Sequence, residues 1–364
     1  MSIQKSFYSD IVKKYFPNLV LQVAEQLNDK DNTAERFYCK EMLTPDFTID
    51  TRWAGLLGKY KHVAADVVAM DSPLPLKSRG TLESVSGEIP KIGLKFFLSE
   101  SEIIKLNALK NATKDPNRII EKLFEDIPSC ISGIYRRIED LFLSELSTGI
   151  ALSTRNDGTG VRLDIGYKSE NMFGVTSAWE ANPTTANAID DIKAVLKKAK
   201  SKDHVLSHAW ADETFLDRFC KNSQVKQQYA FYQGFVGSNI PDLDEEQVVT
   251  IFRRKFNLEF HKIDAPISTE LNGVTESHNP WKTGVCVFTA NTNVGSLVWT
   301  NVAEADDDYK VKGVDYQTAD DFILVSKYAD NDPLREYTAG QAMAFPVVNN
   351  TDRIYLLDSG EVMA

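Results

Sequence analysis

Apolar residues near the start of the chain follow a helical spacing that is soon interrupted. Four of them recur at about one-turn intervals: Phe7, Ile11, Tyr15 and Phe16. Pro17 follows directly, and because proline lacks a backbone N–H we expect the helix to stop there. The rest of the first 48 residues mixes short amphipathic pieces with polar stretches. We therefore expect this region to form an arm that needs a partner surface to pack against.

A segment rich in proline, glycine, serine and threonine follows, SPLPLKSRGTLESVSGEIP. The apolar runs before and after it, VAADVVAM and IGLKFFLS, have the composition of strands. Together they predict a long two-stranded excursion with the proline-bearing segment at its distal end. Because an isolated two-stranded ribbon is only marginally stable in water, the excursion either folds back on its own domain or lies on a neighbouring molecule.

The longest helical pattern ends at Gly149. Its apolar residues fall on one face of a helix: Ile120, Leu123, Ile127, Ile131, Ile134, Ile138, Leu141, Phe142 and Leu146. Pro128 should kink or divide this helix. The surest part is 129–148, a rigid element about 30 Å long at about 1.5 Å per residue.

Two helix starts are marked by capping residues. Asp115 and Pro116 are a favoured N-cap and first-turn pair at the start of the long pattern. Upstream, Ser99 can cap a helix over SESEIIKLNALKNA, and Glu102 completes a capping box three residues later.

Helices and strands alternate after the long helix. Helices are predicted in TTANAIDDIKAVLKKAK, DETFLDRFCKN and DEEQVVTIFRRKFN, and strands in HVLSHA, LEFHKID, GVCVFTAN and GSLVWTNV. The final quarter is mostly strands and turns, and no repeat of fixed period occurs. The predicted class is α+β, with a compact mixed domain inserted near the end of a more extended one.

Composition supports a globular protein with a sizeable core. The chain has 364 residues, of which 43% are apolar and 26% charged, and this length predicts roughly two to three domains. The net charge of -11 disfavours a nucleic-acid groove spread over the surface, because phosphate binding depends on clustered Lys and Arg.

The cysteines and the N-terminus indicate a reducing compartment. The four cysteines are far apart and never form CxxC, so we expect reduced, mostly buried thiols: Cys39, Cys130, Cys220 and Cys286. The N-terminus lacks a signal-peptide pattern, and no apolar run of about 18 residues occurs. We therefore expect a cytosol-like location and no membrane association.

Motifs for catalysis or cofactor binding are missing from the sequence. It contains no GxSxG, no GxxxxGK[ST] and no HExxH. Gly158 and Gly160 favour a hairpin turn over a phosphate cradle. His204 and His208 fall on a predicted strand, where a structural role is favoured over zinc binding. We expect no catalytic residue, cofactor or metal.

Charged clusters have ordinary structural interpretations. The acidic run 306–308 favours a solvated loop over a cation site. Adjacent acids cannot converge on one bond, so we expect helix-start and turn roles for Asp190, Asp191, Asp320 and Asp321. The basic residues of 193–202 and 253–255 favour solvated helix faces, or else meet acidic patches on neighbouring subunits.

The order of these features resembles a known family. The stretch IDDIKAVLKKAKSKDHVLSHAWADETFLDRFCKNSQVKQQY resembles the helix, strand and helix passage of tailed-phage major capsid proteins with the Hong Kong 97 type fold. The closing stretch AMAFPVVNNTDRIYLLDSGEV resembles the last strand of the lambda-related, major capsid protein E-like subfamily. The resemblance covers nearly the whole chain and rests on the pattern and order of elements.

This resemblance implies five parts in an α+β capsid fold. They are an N-terminal arm (1–49), an extended loop (50–98), a peripheral domain with a long spine helix (99–184), an axial domain (185–330) and C-terminal strands returning to the peripheral domain (331–364). It also implies a non-enzymatic major capsid protein. Copies of it would form hexamers and pentamers of an icosahedral head around double-stranded DNA.

The resemblance places inter-subunit contacts in the extended loop. The candidate residues are Pro73, Pro75, Lys77, Arg79, Glu88 and Pro90. In some family members a loop lysine forms a covalent bond with an asparagine of another subunit. By position, Lys77 would pair with Asn349 or Asn350, although no residue here is diagnostic of such a bond.

Partners and location also follow from the resemblance. Besides its own copies, the protein would meet a portal and scaffolding or decoration proteins, and it would contact packaged DNA weakly. It would be assembled in the bacterial cytoplasm and reside in the virion. Two alternatives stay open: an encapsulin-type compartment around an enzyme cargo, and an α+β hydrolase or transferase that uses His204 or His208 with an acidic partner.

Overall fold

The three-dimensional structure is a computed structural model of the 364-residue chain. It describes residues 3–28, 36–58, 82–112, 117–154, 160–164, 166–235, 237, 240–271 and 274–363.

Helices account for much of the first two thirds of the chain. Those of the described ranges are α1 (Ser9–Asn28), α2 (Tyr38–Met42), α3 (Glu100–Ala112), α4 (Asn117–Phe124), α5 (Ile127–Thr148), α6 (Ala188–Ser201), α7 (Glu213–Lys221), α8 (Ser223–Gln233) and α9 (Glu245–Ile251). A π-helical turn, Phe252–Phe256, continues α9.

Strands occur throughout the chain and dominate its last third. In the described ranges they are β1 (Ile3–Gln4), β2 (Leu43–Phe47), β3 (Arg52–Gly58), β4 (Leu82–Glu88), β5 (Lys91–Leu98), β6 (Ile150–Thr154), β7 (Gly160–Asp164), β8 (Met172–Val175), β9 (His208–Ala211), β10 (Glu259–Lys262), β11 (Ile267–Leu271), β12 (Val274–His278), β13 (Val285–Thr289), β14 (Gly295–Thr300), β15 (Asp315–Ala319), β16 (Ile323–Asn331), β17 (Leu334–Val348) and β18 (Tyr355–Val362).

These strands form two larger sheets and three ribbons. The seven-stranded sheet has the order β1-β16-β17-β14-β2, with β15 paired to β16 and β5 paired to β17. The five-stranded sheet has the order β10-β9-β13-β18-β8. Three antiparallel ribbons, β3-β4, β6-β7 and β11-β12, pair only within themselves.

Two larger hydrophobic cores lie against these sheets, and the five-stranded sheet contributes residues to both. The main core lies between the seven-stranded sheet, α5 and α1, with α5 packed across β17. A second core lies between the five-stranded sheet and the helices α6, α7 and α9. A small third cluster contains Trp53, Leu141, Val298 and Phe345. The chain is therefore α+β, as the sequence predicted.

The long helix agrees with its sequence signals. Pro128 lies in the first turn of α5, where its missing N–H costs no intrahelical hydrogen bond, and α4 ends before it. At the other end Gly149 adopts φ 82°, and its N–H donates to the Glu145 carbonyl at 2.8 Å. A Cβ atom on Gly149 would lie 2.7 Å from Cδ2 of Tyr167. The predicted division at Pro128 and the end at Gly149 are both confirmed.

The cap of α3 forms only half of the predicted capping box. The Ser99 N–H donates to a carboxylate oxygen of Glu102 at 2.9 Å. The Ser99 hydroxyl donates to the same oxygen at 2.8 Å, so it does not cap the first turn as an acceptor. The other predicted start lies at Asp115 and Pro116, outside the described residues.

The expectation that Pro17 ends the first helix is wrong. Helix α1 continues through Pro17 for eleven further residues, to Asn28. Its buried positions recur every four residues, at Val12, Phe16, Val20 and Ala24, and they pack into the main core. Burial of this stripe outweighs the cost of one proline, about 3 kcal/mol in a helix interior. This part of the predicted arm therefore packs on its own subunit.

The predicted excursion forms a ribbon, but from other strands. Trp53 pairs with Gly87 in the antiparallel β3-β4 ribbon, so part of the predicted distal segment is itself a strand. The run IGLKFFLS instead belongs to β5, which pairs with β17 in the seven-stranded sheet. Alternation of apolar residues identifies a strand but not its partner, which explains the error. The run VAADVVAM lies outside the described residues.

Most of the predicted α/β section is confirmed, with one correction. Helices α6, α7 and α9 and strands β10, β13 and β14 lie where the pattern predicts them. The segment HVLSHA is not a strand throughout, because β9 begins only at His208. The N–H of His204 instead donates to the Ala199 carbonyl at 3.0 Å and closes α6, with Asp203 at φ 60°.

Candidate functional site

Some of the loop residues predicted to contact other subunits are among the described residues, and others are not. Pro73, Pro75, Lys77 and Arg79 are outside the described residues. Glu88 is exposed at the end of β4, and Pro90 is half-buried just before β5. Their predicted role in contacts between subunits stays a prediction.

The base of the β3-β4 ribbon is anchored by an aromatic stack. The Trp53 ring is buried and stacks on Phe345 of β17, with ring centroids 5.5 Å apart and an interplanar angle of 18°. Gly87 lies against this ring, since a Cβ there would be 2.9 Å from Nε1 of Trp53. The Ile89 N–H donates to the Thr51 carbonyl at 2.8 Å. These contacts fix the base of the ribbon on β17.

A second ribbon, β11-β12, carries side chains that are mostly exposed to solvent. Every residue of β12 is exposed, and Ser268 and Glu270 of β11 are exposed as well. At its base Nε2 of His278 lies 2.7 Å from Oδ1 of Asp140, and Nη1 of Arg137 lies 2.6 Å from Oδ2 of the same carboxylate. The ribbon is therefore tied to α5, a contact that the sequence analysis did not predict.

Two buried carboxylates on α5 hold neighbouring segments by their backbone. Glu139 accepts hydrogen bonds from the N–H groups of Tyr38 at 2.8 Å and Cys39 at 2.7 Å, while burial raises its pKa to about 7. Glu145 accepts one such bond, from Val348 at 3.1 Å, and burial raises its pKa to about 8. Helix α5 thus positions both α2 and the end of β17.

The N-terminal segment is fixed by a buried acid on β17. Glu336 accepts hydrogen bonds from the Ser6 hydroxyl and from the Phe7 N–H, the latter at 3.1 Å. Behind it Lys327 is fully buried, and its Nζ donates to the Leu123 carbonyl at 2.9 Å and to Oγ1 of Thr338 at 2.8 Å. Burial raises the pKa of Glu336 and lowers that of Lys327.

The two histidines considered from the sequence have different partners. Nδ1 of His204 lies 2.8 Å from the Tyr355 hydroxyl. Nδ1 of His208 lies 3.1 Å from Nε2 of His261, and 3.6 Å from a carboxylate oxygen of Glu259. In the described part of the chain, these last three residues form the group whose ligand atoms are close enough to share a metal ion. His261 was not predicted from the sequence, because it is 53 positions from His208 and reaches it only through the pairing of β9 and β10.

The acidic pairs and the cysteines have structural surroundings. Asp191 accepts a hydrogen bond from the Trp179 indole at 2.9 Å, and Asp320 accepts one from the Tyr135 hydroxyl at 2.6 Å. In the run 306–308 a carboxylate oxygen of Asp306 accepts the Asp308 N–H at 3.0 Å. All four cysteines are free and buried, as predicted.

Comparison with solved structures identifies the fold. The chain is similar to a candidate prophage capsid protein of Escherichia coli CFT073, with 13% identity and a TM-score of 0.56 over 93% of this chain and 97% of that one. It is also similar to a phage-related protein of Bordetella bronchiseptica RB50, with 9% identity and a TM-score of 0.52 over 93% and 96% of the two chains. No curated protein gives a significant match. The fold is the Hong Kong 97 type capsid fold.

A family comparison identifies the protein more closely. Residues 58–357 match the family described as phage major capsid protein E, so the chain belongs to that family. It is a structural subunit of a phage virion. The helices of the described ranges include none with the length and apolar character needed to cross a bilayer.

Proposed function

We propose that this chain assembles into hexamers and pentamers that form an icosahedral head around double-stranded DNA. The observation that carries the proposal is the match of residues 58–357 to phage major capsid protein E. The same match favours a phage head over an encapsulin-type compartment, because the family is one of phage capsid proteins.

The three ribbons provide surfaces that suit assembly. A two-stranded ribbon gains little stability by itself, because it cannot cover its own apolar face. Burial on an adjacent subunit would stabilise it by about 25 cal/mol per Å² of apolar surface. The Trp53 stack fixes the base of the β3-β4 ribbon, so it would set the direction in which the ribbon reaches a neighbour.

The five-part division of the sequence is part of this proposal. The seven-stranded sheet with α5 corresponds to the peripheral domain, and the five-stranded sheet with α6–α9 to the axial domain. Strands β14 and β15 lie within 185–330, and β16 ends one residue beyond it, but all three pair in the seven-stranded sheet. The division, and the cross-link of Lys77 to Asn349 or Asn350, stay predictions.

Partners other than further copies of the chain are proposed on physical grounds. A net charge of -11 favours weak, salt-sensitive contact with packaged DNA, because tight phosphate binding needs many cations on the lining surface. The other proposed partners are a portal protein and scaffolding or decoration proteins. Assembly takes place in the bacterial cytoplasm.

We also propose that the activity of the protein is assembly and not catalysis. The alternative is a hydrolase or transferase centred on His204 or His208. These side chains have separate partners, Tyr355 and His261. The double replacement His204→Ala and His208→Ala should leave shell formation unchanged, whereas loss of a measurable hydrolytic or transfer activity would favour the enzyme.

Electron microscopy of the expressed full-length chain tests the proposal. We expect rings or closed shells, and particles from infected or induced cells should contain DNA. A preparation that stays monomeric at high concentration would contradict assembly. Particles filled with an enzyme and free of DNA would favour the compartment instead.

A further inference from the structure

We propose that His208, His261 and Glu259 form a binding site for one Zn²⁺ ion at the edge of the five-stranded sheet. The residues lie on the parallel strands β9 and β10, where His208 is opposite Glu259 and Trp210 is opposite His261. Because alternate residues of a strand share a face, parallel pairing in this register brings all three potential ligands to one face. Strand β10 is an edge strand of this sheet, and the Glu259 side chain is 65% exposed.

The distances fit a shared ion. Nδ1 of His208 is 3.1 Å from Nε2 of His261 and 3.6 Å from an Oε atom of Glu259, and the three ligand atoms all lie within 4.8 Å of one another. In a tetrahedral zinc site with bonds of about 2.0–2.1 Å, neighbouring ligand atoms are about 3.3 Å apart. Small side-chain rotations therefore suffice to bring the three atoms around one centre.

The contact between the two imidazoles requires a hydrogen or a cation between the facing nitrogens. If neither facing nitrogen carries a hydrogen, two lone pairs oppose each other, so the contact holds either a shared proton or a cation. In the neutral pair Zn²⁺ would take the place of that hydrogen, which moves to the far nitrogen of the ring that donated it. His208 would then carry its hydrogen on Nε2 and His261 on Nδ1, so neutral imidazoles bind the ion without net release of a proton.

The site is held in place before any ion binds. The His261 ring stacks on Trp210, with centroids 4.0 Å apart and an interplanar angle of 16°. Trp210 is buried, and its indole N–H donates to Oγ1 of Thr289 at 3.0 Å. The Thr289 hydroxyl in turn donates to the Asn291 carbonyl at 2.8 Å. Such support fixes the ring orientation that a ligand needs.

The donor set selects the type of ion. Two imidazoles and one carboxylate suit zinc, whereas Mg²⁺ and Ca²⁺ prefer oxygen ligands. The side chain of Glu259 is 65% exposed and that of His208 15%, so an ion can enter from solvent and keep water as a fourth ligand.

Calorimetric titration with ZnCl₂ tests the site. The full-length chain, without a histidine tag and freed of metal by a chelator, should bind one Zn²⁺ per chain. His208→Ala or His261→Ala should weaken binding by more than about 100-fold, since loss of a mere outer-shell partner costs about 10- to 100-fold. Glu259→Gln should weaken it at least about tenfold. His204→Ala, which removes a histidine outside the cluster, should bind Zn²⁺ like the unmodified chain.

Folding controls keep the result decisive. Circular dichroism of each metal-free variant reports whether it folds, and Glu259→Gln changes a side chain that is 65% exposed. Millimolar Mg²⁺ should neither bind nor compete. The proposal fails if the unmodified chain binds no Zn²⁺, if Glu259→Gln and a folded histidine variant bind as tightly as it does, or if His204→Ala weakens binding equally.

Discussion

At the scale of single residues, the buried acids of α5 differ in how well their charge is compensated. Glu139 accepts two backbone hydrogen bonds, which favour its ionised form and offset part of the cost of burial. Among the described residues Glu145 accepts only one, and its buried Oε2 has no hydrogen-bond partner there. The energetic cost of burying a charge is therefore greater at Glu145.

Replacement of Glu145 by glutamine should stabilise the subunit more at alkaline than at acidic pH. Burial raises the pKa of Glu145 from 4.5 to about 8, so below 4.5 the carboxyl is neutral in both the folded and unfolded states. As pH rises toward 8 the unfolded state ionises first, and the free energy of unfolding falls. Glu145→Gln removes this loss and keeps an acceptor for Val348. The gain from pH 5 to pH 8 should be roughly 2–4 kcal/mol, since one pKa unit is worth about 1.4 kcal/mol.

Urea unfolding of unassembled subunits at the two pH values measures this effect. Glu121→Gln is the matched control, because Glu121 is exposed on α4 and its replacement should change the free energy of unfolding by less than about 0.5 kcal/mol at either pH. An equal effect of Glu145→Gln at pH 5 and pH 8 would show that the buried carboxyl does not titrate in this range.

At the scale of elements, local signals predicted the helix ends but not the tertiary partners. Helix α5 begins at Pro128's turn and ends before Gly149, and the backbone chemistry of proline and glycine makes both limits readable from the sequence. Pro17 was misjudged, because the burial that maintains α1 depends on α5 and β15, which are distant in sequence. His261 was missed for the same reason, since only the parallel pairing of β9 and β10 places it beside His208.

Replacement of Pro17 by alanine should stabilise α1. Alanine restores a backbone N–H inside the helix and removes the steric conflict of the proline ring, effects worth up to about 3 kcal/mol. We expect a gain of roughly 1–3 kcal/mol in the free energy of unfolding, measured by urea titration. Asn18→Ala, at the exposed neighbouring position, should gain no more than about 0.7 kcal/mol from helix propensity. A loss of stability in Pro17→Ala would mean that the proline ring itself packs favourably.

Removal of the Trp53 ring should release the base of the β3-β4 ribbon. Trp53→Ala deletes the stack on Phe345 and leaves a cavity in the third cluster, at a cost of roughly 3–5 kcal/mol. Trp53→Phe keeps an aromatic ring and should cost less. Circular dichroism should show both variants folded, because the two larger cores are unchanged, while electron microscopy should show fewer closed shells for Trp53→Ala. A normal yield of closed shells from Trp53→Ala would show that assembly does not depend on the Trp53 anchor.

At the scale of the whole molecule, the subunit combines a packed body with surfaces that the body does not cover. The α5 helix is buried along much of its length between sheet and helices. The β12 strand, by contrast, has no buried residue, and the β11-β12 ribbon pairs with neither larger sheet. Stability should therefore differ strongly between α5 and the ribbons until neighbouring subunits cover them.

Hydrogen exchange before and after assembly measures this difference. In unassembled subunits the backbone amides of 52–58, 82–88 and 274–278 should exchange quickly, because a two-stranded ribbon opens at little energetic cost. In shells their exchange should slow by at least about tenfold where a neighbour covers them, whereas 127–148 should be well protected in both states. Because the ribbons and 127–148 are compared within the same sample, differences in solution conditions between free subunits and shells do not affect the result. Ribbon amides that are as protected in the free subunit as in the shell would mean that the ribbons are complete within one chain, and that assembly depends on other surfaces.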